Sequence, residues 1–193
     1  MEPAAGPIAL DAHGAWLAGA RRVASPNRDA RPPGADVELV VVHGISLPPG
    51  EFGGPHVDRL FTNTLDPMAH PFFAGIAHLR VSAHLFIDRA GVLTQYVPLT
   101  ARAWHAGPSC FRGREACNDF SVGIELEGTD ESPYSDPQYR VLGRVLAALR
   151  RRWPVLDADR VVGHSDVAPG RKTDPGPAFD WERLRREAFG GPT

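Results

Sequence analysis

Apolar residues in this chain fall into short β-branched runs and longer amphipathic stretches, and the two spacings predict different elements. Residues 37–43, Val-Glu-Leu-Val-Val-Val-His, are apolar on both faces over their second half, which predicts a central strand covered on both sides. Residues 82–87 and 92–97 read as two strands joined through Asp88-Arg89-Ala90-Gly91, a hairpin signal. In 120–127 the alternation is clear: Val122, Ile124 and Leu126 share one face, and Gly123, Glu125 and Glu127 the other. A short strand at 160–163 ends at His164. Helical spacing predicts the rest. Ser135-Asp136-Pro137 supplies a cap and an early proline, and Tyr139, Leu142, Val145, Leu146 and Leu149 form a stripe running to a stop at Pro154. Short helices are expected around 56–63 and 71–79, and Asp180 caps a last helix carrying Trp181, Leu184 and Phe189.

These elements predict an α/β (α+β) fold with one central mixed sheet flanked by helices, mixed because a hairpin and crossovers coexist. Residues 1–34, rich in Ala, Pro, Gly and Arg without periodicity, read as an N-terminal arm packed on the domain through Trp16 and Leu17, and 35–190 as the domain itself.

Charge and cysteine content narrow the function classes. With 21 Lys and Arg against 23 Asp and Glu, the chain has no basic run suited to a nucleic acid, whose affinity comes from clustered cations. Arg150-Arg151-Arg152 sits where a helix end favours positive charge. No apolar run approaches the ~20 residues that span a bilayer. Glu2, Asp11 and His13 break any secretory pattern. Cys110 and Cys117 are too few for a disulfide framework or a four-cysteine zinc site. A cytoplasmic protein with free thiols is expected, and its mixed charge is compatible with a monomer.

Proline and glycine, 19 and 20 residues, concentrate in two loops that each follow a strand ending in histidine, His43 and His164. A lone histidine at a strand end is more often a capped core residue than a ligand, but two with a nearby carboxylate make a three-ligand zinc site with a fourth position for water. Asp166 and Asp174 are equal candidates for that carboxylate. Lys172, two residues before Asp174, would bring an ammonium to a developing oxyanion. Glu125 and Glu127 are general acid/base candidates, unless their face is merely solvated. His164-Ser165-Asp166 also fits half of a 2-His-1-carboxylate iron site, but no histidine follows His164 to complete the usual order.

Five blocks carry a resemblance: residues 41–54 (Val-Val-His-Gly-Ile-Ser-Leu-Pro-Pro-Gly-Glu-Phe-Gly-Gly), 80–84, 103–107, 118–129 and 163–177. They resemble the bacterial AmpD amidases, cytoplasmic 1,6-anhydro-N-acetylmuramyl-L-alanine amidases of peptidoglycan recycling, over nearly the whole chain. The resemblance implies the fold of peptidoglycan recognition proteins and phage lysozyme-type amidases, and a muropeptide substrate. It implies one Zn²⁺ held by His43, His164 and Asp174, with Asp166 structural, Glu125 as general base and Lys172 as transition-state stabiliser. Arg80 and Trp104 match residues that contact the muramyl-peptide, and His105 beside Trp104, not a family ligand, is expected to support or line the same site. His84 is expected to be buried in its strand. Two positions depart from the family pattern: Gly44 replaces a common Asn, and Ala116 stands where an Arg contacts substrate. A recognition protein that binds without cutting would lack the complete ligand and base set present here.

Overall fold

A computed structural model describes residues 8–190, so Glu2 lies outside them. Two short strands, β1 (Arg21–Arg22) and β2 (Arg28–Ala30), precede β3 (Leu39–Ile45). Then come α1 (His56–Phe61), α2 (Pro71–Ala74), β4 (Leu85–Ile87), β5 (Leu93–Gln95) and β6 (Ala101–Ala103). A small hairpin of β7 (Cys110–Phe111) and β8 (Arg114–Glu115) leads to β9 (Ser121–Glu127) and α3 (Asp136–Arg152). The chain closes with β10 (Val161–Gly163), α4 (His164–Val167) and α5 (Trp181–Phe189).

The main sheet has six strands in the order β1-β5-β4-β9-β3-β10. It is mixed, as expected: only β4 and β5, joined through the turn at Asp88–Gly91, run antiparallel, and the other pairs are parallel. On one face Val40, Val42, Val122, Ile124, Leu126, Leu85 and Ile87 pack against Leu142, Val145, Leu146 and Leu149 of α3 and Leu184 of α5. Burial of such side chains contributes roughly 1.5–3 kcal/mol each before chain entropy is charged against it. On the other face α1 and α2 cover Phe86 and Tyr96, while Leu39 and Val41 pack under Ala106, Phe120 and Val167. Covering on both sides explains the unbroken apolar run of β3.

The described part of the arm is built into the sheets. β1 forms one edge of the main sheet and β2 pairs with β6. Leu17 is fully buried, and its N–H donates to the Gln95 side chain, whose amide in turn donates to the Ala15 carbonyl. Neither short strand has a length that alternation can reveal.

Helix α3 starts where the cap was expected. Ser135 and Gln138 form a capping box, and the Gln138 amide also donates to the carbonyls of Ile87 and Glu127. Gln138→Ala removes half the box and strands two buried carbonyls, so it is expected to cost about 2–4 kcal/mol, read from the urea midpoint. The helix expected at 71–79 stops at Ala74 and continues as turns, and α1 ends before Asn63, whose φ of 61° is left-handed.

Candidate metal and catalytic site

Parallel pairing of β3 with β9 places His43 directly opposite Glu125, with Phe86 of β4 on the other side of the glutamate. Both lie toward the carboxyl ends of their strands, on the face away from α3, where open α/β sheets keep their sites. β10 pairs with β3 on its other edge and delivers His164 at once, as the first residue of α4.

The following loop turns back on itself. Ser165 N–H donates to the Asp174 carbonyl at 3.0 Å, which returns Asp174 to the two histidines. Tyr134 clamps the same loop, its hydroxyl donating to the Pro175 carbonyl at 3.0 Å. That hydroxyl occupies the space a Cβ at residue 44 would need, so Gly44 admits the close approach.

Three donor atoms converge as a result. His43 Nδ1 and His164 Nδ1 are 3.0 Å apart, and Asp174 Oδ2 lies 3.2 and 3.1 Å from them. Tetrahedral ligands about 2.0–2.1 Å from a zinc ion stand about 3.3 Å from one another, so the triangle fits such an ion with little adjustment. Among the described residues these three form the one cluster of His, Cys, Asp or Glu suited to a metal. Burial is the largest influence on His43, lowering its pKa to about 4, so the ring is neutral at pH 7 and can donate a lone pair. Burial acts to raise the Asp174 carboxyl, but hydrogen bonds with His164 and His43 outweigh it and keep the group ionised.

Asp166, the rival carboxylate, points elsewhere. It is exposed and accepts the Gly163 N–H at 2.7 Å, capping α4. Asp166→Ala is expected to cost about 1 kcal/mol of stability and leave metal binding unchanged, checked by urea denaturation and a zinc titration.

Glu125 Oε2 is buried without a hydrogen-bond partner. Burial first, then the charge of Asp174, pushes the carboxyl well above its usual range, and only Lys172 opposes them. An acid with a raised pKa beside a candidate metal position has the character of a general base. Glu127 is instead occupied: its carboxylate accepts the Gly53 N–H and, at 3.1 Å, the Arg89 N–H, tying the 47–55 loop to the β4–β5 turn. Glu127 is buried, and Glu125 is half-buried with its Oε2 sealed from solvent. Lys172 is exposed at the rim, near enough for its charge to act on Glu125 and His43.

The family model described as N-acetylmuramoyl-L-alanine amidase (Amidase_2) matches residues 33–177. The chain belongs to that amidase family. It is 62% identical over 170 residues to the 1,6-anhydro-N-acetylmuramyl-L-alanine amidase AmpD of Citrobacter freundii, covering 88% of this chain and 90% of the relative. A crystal structure of a selenomethionine AmpD derivative superposes with a TM-score of 0.89 at 61% identity, covering 92% of this chain and 98% of that one. A complex of Escherichia coli AmiD with anhydro-N-acetylmuramic acid-L-Ala-D-γ-Glu-L-Lys gives 0.57 at 26% identity, covering 92% and 65%. Within its family the chain is of the AmpD type.

Arg80 and Trp104, which the AmpD resemblance matches to substrate contact, and His105, expected beside them, have the following surroundings. Arg80 is exposed, and its guanidinium donates to the carbonyls of His78 and Leu79 at 3.2 and 3.3 Å. Trp104 is half-buried, with its indole facing the Asp29 carboxylate. His105 has both ring nitrogens occupied inside the protein, by His43 Nε2 at 2.9 Å and by the Ser121 hydroxyl at 3.1 Å, so it stands behind the cluster. Ala116 is exposed, and Arg114 nearby is engaged by Glu38 at 2.9 Å and by the Phe120 ring. His84 is fully buried in the sheet. Ser121 and Tyr134 were not anticipated. Ser121 shares the face of Gly123 and Glu125 by simple alternation, a signal the sequence did contain; Tyr134 offered none.

Proposed function

We propose that the protein is a zinc-dependent amidase that hydrolyses the bond between the lactyl carbonyl of (1,6-anhydro-)N-acetylmuramic acid and L-alanine in muropeptides, acting in peptidoglycan recycling as a cytoplasmic monomer. The observation that carries the reading is the convergence of His43, His164 and Asp174 near Glu125, whose Oε2 is buried without a partner. The AmpD and AmiD names support the substrate. Two free cysteines and the lack, among the described residues, of any helix able to cross a membrane are consistent with the location.

His43, His164 and Asp174 would hold one Zn²⁺, two neutral imidazoles and one carboxylate leaving a net positive site. When bound, zinc polarises a carbonyl oxygen and lowers the pKa of a water to near 7. Glu125 takes the proton from the attacking water at its carboxylate and returns it to the departing alanine nitrogen, which cannot leave as an amide anion. Lys172 brings its ammonium to the oxygen that becomes negative in the tetrahedral intermediate. His164 keeps its orientation through Nε2–H donated to the Ala106 carbonyl at 3.1 Å.

Lys172→Ala is expected to lower kcat by about 10²–10³ while zinc content stays at one per chain, measured by turnover and metal analysis on the same sample. Incubation with defined anhydro- and ordinary muropeptides, followed by product mass, tests the assignment. Release of intact stem peptide from anhydro-N-acetylmuramic acid is expected; cleavage within the peptide, or binding with no product, would refute it.

A further inference from the structure

Both candidate ligand histidines are gripped from behind by consecutive residues of one segment. His164 Nε2 lies 3.1 Å from the Ala106 carbonyl, which can only accept, so His164 carries its proton there and its Nδ1 is bare. One residue earlier, His105 Nδ1 lies 2.9 Å from His43 Nε2, and His105 Nε2 lies 3.1 Å from the Ser121 hydroxyl. The His105 ring meets His43 edge-on, with centroids 5.0 Å apart. It fits there because Gly123 has no side chain: a Cβ would come within 2.6 Å of His105 Nδ1. Behind it, the half-buried Arg31 guanidinium donates to the Ser121 carbonyl at 2.9 Å and to the Asp119 carbonyl at 3.0 Å, fixing the start of β9.

We propose that His105 is a positioning residue that accepts the Nε2 proton of His43 and so keeps His43 Nδ1 bare and aimed at the metal. The inference rests on the zinc reading above. Ser121 completes the chain by accepting from His105 Nε2–H, which leaves His105 Nδ1 free to act as acceptor. Without that acceptor, His43 can carry its proton on Nδ1 instead. There it would point at Asp174 Oδ2, 3.2 Å away, and close the position a cation needs. Partners of this kind on a ligand histidine typically change metal affinity by about 10–100-fold.

The test uses the full chain and zinc itself. Zinc affinity is measured by competition with a chromogenic chelator for wild type, His105→Phe and His105→Gln, with the absorption spectrum of the Co²⁺-loaded forms alongside. His105→Phe is expected to weaken zinc about 10–100-fold and alter the Co²⁺ spectrum. His105→Gln, whose side-chain carbonyl can accept from His43, should recover most of the loss. A folded His105→Phe with wild-type affinity and spectrum overturns the inference alone; wild-type protein that binds no zinc overturns the metal reading and this inference with it. Imidazole ¹⁵N shifts of the zinc-loaded wild type require no variant. Protons on Nε2 of both His43 and His105 are expected, and a proton on Nδ1 of His105 would refute the assignment.

Discussion

His164→Ala leaves two of the three converging donors and is expected to reduce turnover by on the order of a thousandfold or more, with zinc lost from the purified protein. The size follows from what a bound metal contributes, several kcal/mol of transition-state stabilisation, at 1.36 kcal/mol per tenfold in rate. His164 is buried, and its Nε2 is committed to the Ala106 carbonyl, so alanine removes a ligand together with one of the two hydrogen bonds that carbonyl accepts, the other coming from Arg171 at 2.6 Å. Urea denaturation of the metal-free proteins separates the two effects. A variant that folds, binds no zinc and turns over no muropeptide fits the proposed role. A variant that retains stoichiometric zinc and activity would remove His164 from the site.

Glu125→Gln is expected to lower kcat by about 10²–10⁴ with zinc retained, because the amide keeps the shape and cannot take a proton. The pH dependence separates this from a packing effect. In wild type the base must be ionised, so kcat/KM rises with pH through the pKa that Glu125 has in the zinc-loaded protein; the variant should lack that acid limb. Stability moves the other way. Folded protein holds the Glu125 proton at pH values where the unfolded chain has released it, so the metal-free wild type loses stability as pH rises above the ordinary carboxylate range. Metal-free Glu125→Gln, which carries no such penalty, should therefore be more stable than wild type at pH 8, and the gap should close below about pH 4. Thermal unfolding in chelator at both pH values checks it; equal stability at pH 8 would mean that Glu125 is not desolvated.

Long elements were legible because their periodicity is strong. β3, β9 and α3 stand within two residues of the expected places, since an unbroken valine run, a strict alternation and a capped stripe each admit one structure. β1, β2 and β6 were not, because two or three residues show no period and their pairing is decided by distant partners, Arg21 with Thr94 and Asp29 with Arg102. Within the site, pattern alone put His43 at a strand exit and Glu125 on the polar face of a strand, while their direct opposition is set by the β3–β9 register. Asp174 could not be separated from Asp166 without the family resemblance, because the loop return depends on a tertiary hydrogen bond to Ser165. The placement of His105 was illegible for a similar reason. It depends on the empty space over Gly123 on a strand 18 positions further along the chain.

Zinc titration of chelator-stripped protein, with turnover of a defined anhydro-muropeptide followed by product mass, tests metal-dependent hydrolysis most directly. Activity should be absent in the stripped protein and reach its full value at one equivalent of zinc per chain, with anhydro-N-acetylmuramic acid and intact peptide as the only products. Undiminished hydrolysis by the stripped protein, or no hydrolysis at any zinc loading, would contradict it.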